Sequence, residues 1–225
     1  ISDTYAKYTE AKMKKTLYDS YIEAFRWASN RLGSQGIISF VSNGSFIDSQ
    51  ATDGMRKSLY EEFNHLYIFN LRGDQRTQGE TSRKEGGKIF GSGSRTPIAI
   101  SILVKDGSDN HEVHYHDIGD YFNREQKLLV LTEAKTIENI EWTTIIPDKN
   151  NDWINQRDEN YENYIPLFGE EKSIFNEKLN GINTSRDYWV YGFNKNQTKT
   201  NVLKMVDNYN SELLRKKKEL DFKLN

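Results

Sequence analysis

The 225-residue sequence has no cysteine and only three prolines, Pro97, Pro147 and Pro166. Without thiols there is no disulfide framework and no thiolate metal site, a composition that fits a reducing compartment. No stretch approaches the roughly 20 apolar residues of a membrane span, and the first residues lack the basic-then-apolar pattern of a secretory signal. The expectation is a cytoplasmic protein with no membrane partner. No large charge excess exists either: 31 basic against 33 acidic residues give a formal net charge of −2, so the chain as a whole is no polycation drawn to nucleic acid. Aromatic residues, by contrast, are plentiful. The 13 Tyr, 11 Phe and 4 Trp supply enough apolar bulk for a folded core despite a polar average.

Apolar periodicity divides the first half into alternating elements. From Thr16 to Leu32, Leu17, Tyr18, Tyr21, Ile22, Phe25, Ala28 and Leu32 recur at three- and four-residue steps, predicting an amphipathic helix with Gly33 as its left-handed stop. The near-continuous apolar run Gly36 to Val41 reads as a strand covered on both faces. It ends at a polar corner, Ser42-Asn43-Gly44-Ser45-Phe46. A second helix over about Ala51 to Phe63 holds Met55, Leu59 and Phe63 on one face and leads into a strand at Leu66 to Leu71. Strand, helix, strand implies a right-handed crossover between strands of the same direction. Ile98 to Val104 is a third buried strand, and Asp106-Gly107 turns it into a more polar strand near His111 to His116, an exposed hairpin. The fold class is α/β, like the back half of a nucleotide-binding domain.

Between the second and third strands lies a 25-residue loop, Arg72 to Thr96, with six glycines. Loops of that length in compact domains are functional or disordered. From Arg72 to Lys105, Arg72, Arg76, Arg83, Lys84, Lys88, Arg95 and Lys105 face only Asp74, Glu80 and Glu85, a local net charge of +4. Beyond Asp117 the pattern weakens, with short strands expected at Leu128 to Leu131 and Trp142 to Ile146. A closing helix begins at about Thr200. The expected boundary puts one unit at 1–117 and a mixed α+β segment at 118–225.

The ordered set Leu17-Tyr18-Asp19-Ser20-Tyr21, Gly36-Ile37-Ile38-Ser39-Phe40-Val41-Ser42-Asn43-Gly44-Ser45-Phe46, Asp53-Gly54-Met55-Arg56, Tyr67-Ile68-Phe69-Asn70-Leu71-Arg72-Gly73 and Gly87-Lys88-Ile89-Phe90-Gly91 before an Ile-Ala-Ile-Ser-Ile strand resembles adenine-N6 DNA methyltransferases. More narrowly it resembles the methyltransferase region of type ISP restriction-modification enzymes, and Gly181-Ile182-Asn183-Thr184-Ser185-Arg186-Asp187-Tyr188-Trp189-Val190-Tyr191 strengthens that reading.

The resemblance implies the back half of a Rossmann-like sheet, with the Pro97 to Val104 strand inserted antiparallel between the other two, followed by the start of a target-recognition region. It implies S-adenosylmethionine as the cofactor of the intact parent, with none bound to this chain, because the Gly-rich cofactor loop and the catalytic Asn-Pro-Pro-aromatic motif are absent. None of the three prolines follows Asn or Pro. The isolated chain is therefore expected to be an inactive fragment, its partners the remainder of the parent polypeptide and double-stranded DNA with a flipped adenine. An extruded base needs a wall to stack on. The resemblance gives that role to Phe90, with Asn43 and Ser45 in the target-base pocket and Arg72, Arg76, Arg83, Lys84, Lys88, Arg95 and Arg186 on DNA. A strand at Gly36 to Val41 without its natural neighbour predicts an apolar edge and self-association.

Other readings stand beside this one. Phe90 is also a candidate loop anchor, and Arg186 with Asp187 a structural ion pair. Gly91-Ser92-Gly93 imitates a cofactor loop, but it precedes a strand instead of opening a helix. Glu112, His114 and His116 share a strand face with metal-ligand spacing, but a polar exposed hairpin is the better reading of them, so no metal is expected. Asp148 with Glu171-Lys172 has the spacing of a PD-(D/E)xK nuclease, yet Asp148 to Asp152 reads as a turn. A non-enzymatic DNA-recognition or subunit-interaction module, drawing on Trp142, Trp153 and Trp189, is the remaining alternative.

Overall fold

The computed structural model describes residues 1–11, 14–91, 93–158, 160, 163–169, 172–178 and 185–223. The chain divides into two compact units, Ile1–Glu159 and Asn160–Asn225. The 117/118 boundary read from the sequence falls inside the first unit, at the end of a strand over Glu112–Asp117.

The first unit opens with a single-turn helix α1 (Tyr5–Tyr8) and a 3-10 turn at Lys14–Tyr18, followed by α2 (Ser20–Ser29). The helix expected over Thr16 to Leu32 is thus shorter and broken, because the Asp19 side chain accepts the Ser20 amide and starts a new helix there. It stops at Asn30, which caps it in a right-handed conformation. Gly33 has no positive φ and is not the expected stop. Strand β1 (Gly36–Asn43), α3 (Asp53–Glu62), β2 (His65–Asn70) and β3 (Ile98–Lys105) follow closely the expected runs, with α4 (Gly79–Glu85) inside what reads in sequence as a bare loop. The unit closes with β4 (Glu112–Asp117), α5 (Arg124–Ala134) and the short β5 (Thr143–Ile145).

The five strands form one mixed sheet in the order β1-β3-β2-β4-β5. β3 runs antiparallel to both β1 and β2, and β2 pairs parallel with β4. The hairpin expected at Asp106-Gly107 is therefore absent: the chain turns there but crosses β2 and lands on its far side. Segment 128–131, expected as a strand, lies in α5, whose Asn123 and Gln126 form a reciprocal capping box. A four-residue apolar run does not by itself separate a strand from a buried helix stretch.

One face of the sheet carries the main core. Ile22 and Phe25 of α2 and Met55 and Leu59 of α3, with Phe63 at its end, pack against Leu66, Ile68, Ala99, Leu103 and Val113, all at most 1% exposed. Each such apolar side chain contributes about 1.5–3 kcal/mol by leaving water. The opposite face is covered around Phe69, Leu71, Ile98 and Ile118 by Val130 and Leu131 of α5 and by Trp142. That cover does not extend to β1, where Ile37 and Val41 are 67% and 57% exposed. β1 is consequently an edge strand buried on one face, not on two.

The second unit contains the single-turn α6 (Asp187–Val190) and a 29-residue helix, α7 (Lys195–Lys223), which begins five residues before the expected start. Phe168 and Phe175 form an isolated bridge with rings 5.6 Å apart. Among the described residues no helix is long and apolar enough to cross a membrane.

Candidate nucleic-acid interface

Because β1 and β2 both run antiparallel to β3, their carboxyl ends reach the same edge of the sheet. Asn43 stands opposite Ile98 and Asn70 opposite Ala99, so two asparagines flank the start of β3. A cleft of about 540 Å³ opens there, lined among others by Tyr21, Asn43, Ser45, Asp48, Asn70, Asp74, Arg76 and Glu85. Ligands of open α/β sheets bind at such carboxyl edges.

The corner after β1 is held from beneath. The Asn43 Oδ1 accepts the Ser45 amide at 2.9 Å, which leaves the Asn43 Nδ2 without a hydrogen bond among the described residues. Gly44 donates its amide to Pro97 at 2.8 Å, and a Cβ at Gly44 would stand 3.3 Å from Ala99. Behind it sits Arg56 of α3, fully buried, donating to the carbonyls of Phe46, Ser49 and Asn151 at 2.7–3.0 Å and pairing with Asp152 at 2.6 Å. Trp153, 2% exposed, packs edge-on against Phe46. It belongs to the core and offers no surface to DNA.

Carboxylates dominate the cleft. Burial raises the pKa of Asp48 and also that of the Tyr21 phenol. The hydrogen bond from Arg76 holds Asp74 below the usual carboxylate range. Arg76 grips Asp74 with two nitrogens, at 2.9 and 2.7 Å, and reaches the Ser45 hydroxyl at 3.1 Å. Acceptors beside an amide donor suit the amino-bearing edge of a base better than a phosphate.

The Gly-rich segment is pinned at its middle. Gly87 donates to the Phe122 carbonyl at 2.9 Å, Arg124 donates to the Ile89 carbonyl at 2.7 Å, and the Lys127 ammonium donates to the carbonyls of Glu85 and Gly87 at 2.8 Å. Lys127 is fully buried, and desolvation lowers its pKa to about 8. Gly86 has φ of +66°, and a Cβ there would stand 2.1 Å from the Phe122 carbonyl oxygen, which only glycine permits. Ile89 is the apolar anchor at 7% exposure, whereas Phe90 beside it is 48% exposed. Phe90 is thus not packed on the core, and it is not among the residues lining the cleft.

The cations differ in what they already hold. Arg72 is committed to Asp117 at 2.7 Å and to Asp120, bracing the end of β2 against the end of β4. Arg95 donates to the Gln75 carbonyl at 3.0 Å. Arg83 pairs with Glu80 at 3.2 Å yet stays 77% exposed, and Lys84 lies 3.5 Å from Asp120. The Lys88 side chain has no hydrogen bond or ion pair among the described residues. Arg186, in the second unit, precedes α6 and accepts the Trp189 amide at its carbonyl. It lines a separate cleft of about 680 Å³ with Trp189, Tyr209 and Glu212.

The turn read at Asp148 to Asp152 is present. Asp148 accepts the amides of Asn150 and Asp152 in a turn beyond β5, so it sits on no strand, and Glu171 lies outside the described residues. Gly181 to Thr184 also lie outside them. Nothing local in the sequence marks the buried Arg56, which organises the corner: a lone arginine in an amphipathic helix reads as solvated until Asp152, 96 residues away in sequence, is placed beside it.

Residues 173–223 match the type ISP C-terminal specificity domain family. Over 95% of its length the chain is similar, with 64% identity and a TM-score of 0.84, to a nuclease-deletion mutant of the type ISP restriction-modification enzyme LlaGI solved with a DNA substrate mimic. It is also similar to the ATP-dependent type ISP enzyme LlaBIII bound to DNA, with 37% identity over 93% of the chain and a TM-score of 0.81, and to DrdV in a DNA complex, with 34% identity over 94% and a TM-score of 0.80. The chain spans 17%, 14% and 22% of those three proteins. No curated protein matched. By sequence and by fold, this chain belongs with the type ISP restriction-modification enzymes, as a region that includes part of the specificity domain.

Proposed function

We propose that the first unit forms the target-base side of an S-adenosylmethionine-dependent adenine-N6 DNA methyltransferase, and that the second unit begins the DNA-recognition part. The observation that carries this reading is the cleft at the carboxyl ends of β1 and β2, where the Asn43 amide stands among acceptors. An adenine extruded from a duplex presents an amino donor and a ring-nitrogen acceptor. Carboxylate and amide oxygens match the first, and the Asn43 Nδ2 matches the second. Phe90 supplies an exposed ring on a pinned segment, and stacking is worth about 1–3 kcal/mol per base.

The residues present do not fit the cofactor. The glycine that follows a strand and opens a helical turn, Gly44, is packed against Ala99 and Pro97, and Gly91 precedes β3. S-adenosylmethionine would supply the methyl group from the remainder of the polypeptide, with no part of its site in this chain. Arg83, Lys84 and Lys88 contribute phosphate contacts that are salt-sensitive and indifferent to sequence, whereas Arg72 serves as a brace.

In the full-length enzyme, Phe90→Ala and Asn43→Ala are expected to lower methyl transfer and to quench the fluorescence of a 2-aminopurine held at the target position. Normal turnover in both variants would remove the base-pocket assignment. The specificity-domain match favours a second role in recognition for residues 173–223. If DNA binding depends on Arg186 while methylation is indifferent to Asn43 and Phe90, the chain acts as a recognition module only.

A further inference from the structure

The amino ends of β2 and β4, at the opposite edge of the sheet from the cleft, bring together residues that are apart in sequence. Parallel pairing sets His65 directly opposite Glu112 and leaves His114 two residues further along the same face. One carboxylate oxygen, Glu112 Oε2, lies 3.4 Å from His65 Nδ1 and 3.3 Å from His114 Nε2. All three atoms fall within 4.8 Å of one another. We propose that His65, Glu112 and His114 bind a divalent transition-metal ion of the zinc type, with Asp106 supporting His65 from behind.

Four observations support the site. First, His65 Nδ1 and His114 Nε2 are buried atoms that make no hydrogen bond, and unsatisfied buried polar atoms call for an unseen partner such as an ion. Second, ligand atoms about 2.0–2.2 Å from a tetrahedral zinc stand about 3.3–3.5 Å apart, which is the spacing found around Glu112. Third, the other nitrogen of His65, Nε2, faces Asp106 Oδ2 at 3.4 Å. A carboxylate behind a ligating imidazole fixes its ring and raises its basicity. Asp106 is itself held, its Oδ1 accepting the Ser108 amide at 2.8 Å. Fourth, the chain has four histidines, and the other two are already engaged: His111 Nδ1 with the Phe63 carbonyl at 2.9 Å, and His116 Nδ1 with the Glu141 carbonyl at 2.8 Å.

A plain ion-pair network explains the cluster less well. Two imidazolium rings stacked 5.8 Å apart on one carboxylate repel each other. Neutral imidazoles are what a metal requires. The ligands sit on paired strands, with Tyr67 stacked 4.5 Å from His114, so the scaffold is rigid. Three protein ligands leave a fourth position, and Glu112 is 45% exposed toward solvent. The chemistry therefore allows either a bound water or a ligand from elsewhere in the polypeptide.

The test is a cobalt(II) titration of the tag-free, full-length protein, followed by visible absorption and by zinc competition. One equivalent with tetrahedral bands is expected. Those bands should be lost in the double variant His65→Ala/His114→Ala, weakened about 10–100-fold by Asp106→Asn, and kept in His116→Gln. Circular dichroism checks that each variant is folded. Failure of the wild-type protein to give a saturable cobalt spectrum overturns the proposal without any variant. So does a spectrum that survives unchanged in the double variant. Neither outcome bears on methyl transfer at the other edge of the sheet.

Discussion

Arg56 offers the sharpest test of how the candidate cleft is built. Its guanidinium is fully buried, donates to three main-chain carbonyls and the Thr52 hydroxyl, and pairs with a buried Asp152. Arg56→Met keeps most of the apolar volume but withdraws every one of those donors. Arg157 still reaches Asp152 at 2.9 Å, so the carboxylate is not stranded, and the loss falls at the low end of the range for a broken buried pair, about 3 kcal/mol. At roughly 2–4 °C per kcal/mol for a domain of this size, the melting temperature should drop by about 6–12 °C. The damage should also be local. Amides of residues 44–52 should exchange faster than those of β2 and β3, because Arg56 ties that segment to residues 151 and 152. Arg56→Lys, which keeps the charge but not the planar fork, should recover only part of the loss. A melting temperature within 1–2 °C of wild type for Arg56→Met, worth well under about 1 kcal/mol, would refute the assignment of Arg56 as the corner's support.

Other consequences can be measured in the same preparations. Lys127 has a lowered pKa of about 8 against 10.5 for an ordinary lysine, so the unfolded chain binds more protons between those values. Wild type should therefore gain stability relative to Lys127→Met as pH rises from 8 to 10; parallel pH profiles would contradict the burial of a charged amine there. Gly86→Ala, which drives a Cβ onto the Phe122 carbonyl, should destabilise more than Gly79→Ala, where φ is also positive but nothing lies within 4 Å and the cost is about 1–2 kcal/mol. Equal melting temperatures would mean that the loop is not seated on residues 122–124. The open edge of β1, with Ile37 and Val41 exposed, should make the 225-residue chain associate with itself, and Ile37→Lys should restore a monomer. Light scattering that shows a monomer for the unaltered chain at high concentration would refute the edge argument.

The apolar strands and α3 were legible because each is a continuous run or a clean helical stripe, and both patterns are local. The α5 helix was hidden by its own composition, since Leu128 to Leu131 carries no helical stripe, although the Asn123 to Gln126 capping pattern was there to be read. Asp19 likewise signalled a helix start within a longer apolar periodicity. The spacing on β4 groups Glu112 and His114 with His116, whereas the structure turns His116 to the Glu141 carbonyl and brings in His65 from a strand whose pairing with β4 is non-local and sets no mark on either segment. The cleft is half legible: the polar corner with Asn43 and Ser45 marks the carboxyl edge of the sheet, whereas the grip of Arg76 on Asp74 and Ser45 has no local mark in the sequence. Exposure separates Ile89, the buried anchor of the segment, from Phe90, to which the resemblance gives the stacking role.

The antiparallel placement of β3 has a consequence for how this region can diversify. Leu71 donates to the Ile98 carbonyl at 2.8 Å and Ile98 to the Arg72 carbonyl at 3.0 Å, so the segment from Arg72 to Pro97 leaves and re-enters the sheet through the same pair of hydrogen bonds. Its ends are closed whatever its length. The entropy of closing such a loop grows only with the logarithm of its size, about 0.6 kcal/mol per doubling. Insertions in the exposed stretches of this segment, away from its seat at residues 85–89, therefore alter the surface beside the cleft at little expense to the sheet.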